Sequence, residues 1–250
     1  LKPMNVEQRI DEFMQELCQR AQEAIDRGES TKINIAEFTA TYGNKLLSDI
    51  KAEPIDKWTE YGWVPILPSF QGADFLRTLI PPKSSEEADH IMMEKLNKQE
   101  ITKLFNELQG YAHNNSHNET TLSEAIKAFQ SNLFSGCALL LFAMIDACFL
   151  TTQPVSSKNR RALAEKAAKE RIEEIDSYRL SCVNITRNII MDIFENAHDF
   201  DPAYDKKLNR NFLSHGMNMY IPTRKDCLKL FVLLYSTYVL LDTNVLKWKK

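Results

Sequence analysis

The chain predicts an all-α fold, a C-terminal four-helix bundle preceded by a mostly helical N-terminal region. Three observations predict it. Apolar residues recur at steps of three and four along most of the 250 residues, which is the period of a helix face. Serine, threonine and asparagine stand before several of these runs, where a helix needs side-chain acceptors for its first amides. Alternating apolar and polar stretches of the kind a strand needs are nearly absent.

Taken in order, residues 6–27 carry Ile10, Phe13, Met14, Leu17, Ala21, Ala24 and Ile25 at helical spacing, and Gly28 closes the run. Asn34 suits the cap of a second helix over 35–50. The texture then changes to Trp58-Thr59-Glu60-Tyr61-Gly62-Trp63-Val64-Pro65-Ile66-Leu67-Pro68, an aromatic and proline-punctuated stretch that reads as a packed irregular loop plugging a core. Ser84-Ser85-Glu86-Glu87 starts the next helix, which alone or with a successor runs to about Tyr111. His113-Asn114-Asn115-Ser116-His117-Asn118 is polar and lacks apolar partners, so 1–112 is expected as one region, 113–120 as a linker and 121–250 as the bundle. The two histidines there do not make a metal site, since Asn-Asn-Ser between them opposes a helix and no third ligand is near.

In the C-terminal region a helical pattern runs from Thr121 to about Thr152, either unbroken or interrupted near Gly136. Its Leu133 to Leu150 portion is almost wholly apolar, yet it holds Ser135, Gly136 and Asp146 and no basic cluster flanks it, so it reads as a buried bundle helix and not a membrane span. Asp146 in that setting needs a partner. Its expected role is a hydrogen bond to a neighbouring helix or, at a working site, orientation of Arg210 or His215. A stripe of Ile172, Ile175, Cys182, Val183, Ile189, Ile190, Ile193 and Phe194 marks a helix over about 160–195. A turn at Asp199-Phe200-Asp201-Pro202 leads on to a final helix, capped by Thr223 after Ile221-Pro222.

The formal charge of −3 hides an uneven spread. Residues 1–120 hold 13 Lys and Arg against 20 Asp and Glu, a balance of −7, and 121–250 hold 18 against 14, a balance of +4. The basic half permits nucleic-acid binding without demanding it. Five cysteines, Cys18, Cys137, Cys148, Cys182 and Cys227, are odd in number, lack a Cys-x-x-Cys pair and sit mostly in apolar helical runs, which predicts reduced, buried thiols in a cytoplasmic protein. The opening residues carry no hydrophobic signal core.

Chemistry concentrates in Arg210-Asn211-Phe212-Leu213-Ser214-His215-Gly216. Histidine exchanges protons near neutral pH, and arginine presents a permanently charged planar fork that matches phosphate oxygens. Asparagine can orient either one. Together they suffice for cleaving RNA without a metal. The same residues also suit structural work, because arginine and histidine satisfy the last carbonyls of a helix and asparagine bonds its own backbone.

Arg-Asn-x-x-x-His followed by Gly, set between an apolar helix and a capped long helix, resembles the HEPN superfamily over roughly the last half of the chain. The resemblance implies a helical bundle and a metal-independent, cofactor-free endoribonuclease of the toxin or phage-defence kind. Arg210, Asn211 and His215 would act as its catalytic residues, Asp146 and Ser214 would support them, and a protein inhibitor or regulatory partner is a natural companion. Residues five apart on a helix lie about 140° apart around its axis. Arg210 and His215 therefore converge only if the chain bends near Ser214 or if two motifs face each other, and the family resemblance favours a homodimer with one composite RNA cleft. Two very apolar helices, Leu133 to Leu150 and Leu230 to Leu241, suggest spare surface for such an interface. The competing expectation is a non-enzymatic helical dimerisation or protein-interaction module.

Overall fold

The computed structural model describes residues 53–69, 82–113, 116–151 and 207–242, with 15, 19, 186, 188–190, 192–195, 198–201, 203 and 205. The helices expected over 6–27 and 35–50, and most of that over 160–195, lie outside the described residues. Within them every regular element is helical and no strand occurs. The helices are α1 (Glu53–Glu60), α2 (Ser85–Lys95), α3 (Lys98–Ala112), α4 (Ser116–Gln130), α5 (Phe134–Thr151), α6 (Arg210–Ser214) and α7 (Arg224–Asp242), with a 3-10 turn at His198–Phe200.

Local chemistry sets the boundaries. The Ser84 hydroxyl caps α2 by accepting from Glu87 N at 3.3 Å, and the Glu87 carboxylate reaches back to Lys83 N. Asn97 caps α3 by accepting from Gln99 N and Glu100 N at 2.9 and 3.0 Å. Thr223 and Asp226 form a reciprocal cap at the start of α7, with Thr223 N donating to Asp226 Oδ2 at 2.8 Å. Between α4 and α5 the break falls at Asn132 and not near Gly136, which lies in the first turn of α5. Leu133 N donates back to Ala128 O at 2.8 Å and Asn132 N to Phe129 O at 3.1 Å, a Schellman turn that needs a left-handed residue. Asn132 supplies it at φ 59.

Helices α3, α4, α5 and α7 pack as a ring in which each touches the next and α7 returns to α3, while the short α6 rests on α5. The core is continuous from Trp58, Trp63 and Met92 through Leu104 and Leu141 to Phe231 and Leu234. Segment 98–112 therefore shares one core with helices on the far side of residues 113–120, and α4 begins inside that stretch. At the centre Phe231 meets Phe105 at 4.8 Å and Phe129 at 5.5 Å between ring centroids. Burying a ring of that size contributes about 1.5–3 kcal/mol.

The aromatic stretch before α2 packs as a core plug: Trp58, Trp63, Val64 and Leu67 are buried. Gly62 makes the turn possible at φ 70, where Trp63 N donates to Trp58 O at 3.0 Å across a second Schellman bend. Cys137, Cys148 and Cys227 are buried thiols, and Cys18 and Cys182 lie outside the described residues. Among the described residues no helix is long and apolar enough to cross a membrane. In the described part of the apolar run of α7, Leu230, Phe231, Val232, Leu233 and Leu234 are buried, as are Cys137, Ala138, Leu141 and Phe142 of α5. Among the described residues the exposed large apolar side chains include Leu139 on α5 and Leu133 just before it, with Met217, Met219 and Ile221 between α6 and α7.

Candidate active site

The motif occupies a helix of only five residues. Asn209 caps it, accepting from Asn211 N at 2.8 Å and Phe212 N at 3.3 Å, so Arg210 stands at its first position. At the other end Gly216 turns left-handed at φ 67, and Met217 N and Gly216 N donate back to Phe212 O and Leu213 O at 3.0 and 3.2 Å. That Schellman bend explains the glycine after the histidine. His215 is the last half-helical residue, at φ −95 and ψ 0, and its side chain is exposed. The chain thus leaves the helix immediately after Ser214.

Phe212 and Leu213 anchor α6 in the interior. Arg210 is oriented from two sides. Its Nη1 donates to Asn211 Oδ1 at 3.1 Å, and its Nη2 lies 4.0 Å from Asp146 Oδ2 on α5. Arg210 and Asp146 keep 34% and 17% of their side-chain surface, so the pair is half-wet and screened, and its attraction orients the fork more than it stabilises the fold. Only the contact with Asn211 is a hydrogen bond, and it uses one of the five guanidinium N–H donors. Asn211 also donates from Nδ2 to the Glu195 carbonyl at 2.8 Å, joined there by Asn209 Nδ2 at 3.2 Å.

The expected site residues divide accordingly. Arg210, Asn211 and Asp146 come together. The Ser214 hydroxyl donates to the Asn211 carbonyl at 3.3 Å, a bond inside the helix turn. His215 meets a residue not anticipated, Phe200, with ring centroids 5.2 Å apart and planes at 67°. Phe200 also meets Phe212 edge to face at 5.7 Å. It belongs to a turn with two successive left-handed residues, Asp199 at φ 55 and Phe200 at φ 60, each costing about 1–3 kcal/mol.

Beyond Gly216 the chain has no regular secondary structure as far as α7, and Asp205 holds it. This buried carboxylate accepts from Met219 N and, at 2.8 Å, from Tyr220 N through Oδ2. The Tyr220 hydroxyl donates to Asp226 Oδ2 at 2.9 Å, and burial followed by that neighbouring carboxylate pushes the phenol up to about 12. Met217, Met219 and Ile221 project outward from this braced segment, forming an apolar strip beside His215. Asn209 carried a legible signal, an asparagine directly before a short apolar helix. Phe200 and Asp205 did not, because their contacts with the motif exist only in three dimensions.

A second polar cluster lies apart from the motif. Asp89 accepts from the Trp63 indole at 2.8 Å and from Lys225, and Lys229 lies 3.4 Å from it while donating to the Tyr61 carbonyl at 2.7 Å. Burial alone would raise the Asp89 carboxyl; the bonds from Lys225 and Trp63 outweigh it and lower it. Burial lowers the Lys229 ammonium against the pull of Asp89. Next to this cluster is a cavity of about 290 Å³ with an apolar floor of Ile189, Ile193 and Leu233 and a rim including Lys207, Tyr220 and Lys225. No residue of the 210–216 motif lines it. Among the described residues no group of three His, Cys, Asp or Glu side chains is arranged to hold a metal. No protein-family model matches the chain, and neither a similar curated protein nor a similar solved structure was found.

Proposed function

We propose that the protein is a metal-independent endoribonuclease of the HEPN kind, acting as a toxin or phage-defence effector. The observation that carries the reading is the placement of the motif: Arg210 is held by Asn211 and Asp146 at one end of a five-residue helix, and His215 is turned out to solvent at the other. Arg210 binds the scissile phosphate and stabilises the charge that builds on its oxygens. His215 either takes the proton of the ribose 2′-hydroxyl or returns one to the departing 5′ oxygen. As the 2′ oxygen bonds to phosphorus, the phosphorus bond to the 5′ oxygen breaks, leaving a 2′,3′-cyclic phosphate and a 5′-hydroxyl. Asn211 keeps the fork in plane.

A homodimer completes the site in this reading. The apolar strip of Met217, Met219 and Ile221 beside His215 is the surface an isologous interface would cover, bringing two motifs into one cleft. The test is cleavage of single-stranded RNA by wild type, His215→Ala and Arg210→Lys, with analysis of the product ends. Wild type yields cyclic phosphates and leaves DNA intact, His215→Ala is inactive, and Arg210→Lys is impaired because it keeps charge but loses the fork. Unchanged cleavage by His215→Ala overturns the assignment. The same exposed strip favours a second reading, a helical interaction module; equal growth of cells expressing wild type and His215→Ala would select it, and arrest that depends on His215 would reject it.

A further inference from the structure

Glu195 and Phe200 grip the motif at two points. At one end the Glu195 carbonyl accepts from Asn211 and Asn209, at 2.8 and 3.2 Å. At the other the Phe200 ring lies against Phe212 at 5.7 Å and His215 at 5.2 Å, with interplanar angles of 82° and 67°. Reaching that position costs the backbone two successive left-handed residues, Asp199 at φ 55 and Phe200 at φ 60. Aspartate tolerates this conformation; a bulky aromatic residue adopts it only where its surroundings enforce it. Phe212 is buried, so it serves as the wall against which Phe200 is set. His215 has no such burial, and among the described residues neither of its ring nitrogens takes part in a hydrogen bond. Its orientation is left to the aromatic contact.

We propose that Phe200 is a positioning residue for His215, and that the left-handed pair at 199–200 serves to deliver its ring. The proposal rests on the ribonuclease reading. An exposed imidazole at a helix exit samples several side-chain rotamers, and only one of them aims a nitrogen at the ribose 2′ oxygen or the 5′ oxygen. The Phe200 ring, set against Phe212, narrows that choice before substrate arrives. It touches no reacting atom itself and acts through the orientation of His215.

Two variants and one spectroscopic measurement test it. Phe200→Leu keeps much of the side-chain volume and removes the ring, while Phe200→Tyr keeps the ring. On single-stranded RNA, Phe200→Leu should lose about 10- to 100-fold in kcat with KM within about twofold, and Phe200→Tyr should stay within about threefold of wild type. In NMR spectra the His215 ring protons should show a ring-current shift and a single rotamer in wild type and Phe200→Tyr, and rotamer averaging in Phe200→Leu. Wild-type kcat in Phe200→Leu overturns the proposal, as does a His215 ring that averages in the wild-type protein, a measurement that needs no variant to fold. Wild-type protein that leaves RNA intact sinks the ribonuclease reading on its own. A His215 ring equally ordered in wild type and Phe200→Leu sinks the positioning role whether or not RNA is cut.

Discussion

Replacing Asp146 by asparagine, Arg210 by methionine, and then both in one chain gives a double-mutant cycle whose coupling energy follows from the geometry. Two unit charges at the observed 4.0 Å attract by about 4 kcal/mol at an effective dielectric of about 20 and by about 1 kcal/mol in bulk water. With 34% of the Arg210 side chain and 17% of that of Asp146 exposed, the pair sits between these limits, towards the wet end. A separation of 4.0 Å also lies beyond hydrogen-bond range, so no charge-assisted bond adds to the attraction. The expected coupling is about 1 kcal/mol, shrinking as salt shortens the Debye length below about 10 Å. Urea denaturation of the four proteins at low and high salt measures it. The Asp146→Asn protein alone should lose more, because Asp146 has further interactions within its surroundings, and the cycle cancels those. Coupling below about 0.3 kcal/mol at low salt would show that the two charges do not sense each other and would remove Asp146 from the site.

Three further outcomes are expected. Alkali should destabilise the fold between about pH 10, where unfolded phenols ionise, and pH 12. Burial pushes both Tyr220 and Tyr235 up to about 12, so the folded chain binds more protons across that window and its stability, full below it, falls as pH rises through it. Melting temperature against pH, with phenolate absorbance, checks this; complete phenolate formation near pH 10 in folded protein would contradict it. Phe231→Ala should cost about 3–5 kcal/mol in denaturant unfolding, since the ring is fully buried between Phe105 and Phe129, and a loss under about 1 kcal/mol would refute that packing. Asp205→Ala should cost about 2–3 kcal/mol by stranding the Met219 and Tyr220 amides and should speed their hydrogen exchange. Asp205→Asn should cost about 1 kcal/mol or less, because one carbonyl oxygen still accepts both and the other carboxylate oxygen, Oδ1, is buried without a partner among the described residues. Equal costs for the two variants would argue against the latch.

Helix type and most boundaries were legible along the chain because they depend on neighbours three or four residues away. Ser84, Thr223 and Gly216 announce their caps and turns by residue type alone. The break between α4 and α5 was misplaced because two residues compete for it: Gly136 is the better left-handed residue in isolation, yet Asn132 closes the Schellman bonds at the actual end of the helix. The motif was visible as a string of residue types. Asp146 was legible as a candidate partner although it stands 64 positions before Arg210, because a carboxylate in an apolar helix needs one, whereas Phe200 was not, since nothing local links it to His215.

The sequence by itself determined the helical character of the described residues, the caps at Ser84 and Thr223, and three residue types whose chemistry suits a phosphodiester, because helix periodicity, capping and side-chain chemistry are local properties. Only the tertiary structure decided which helices close the ring, that α3 joins it with α4, α5 and α7, and that the central apolar residues of α5 and α7, Leu141 and Phe231 among them, are buried inside one chain. It chose Arg210 as the neighbour of Asp146, where the sequence had left Arg210 and His215 as alternatives, and it alone set Phe200 against His215. Those outcomes depend on how much apolar surface each helix can bury against every other, a sum over pairs far apart in the chain that no stretch of sequence contains.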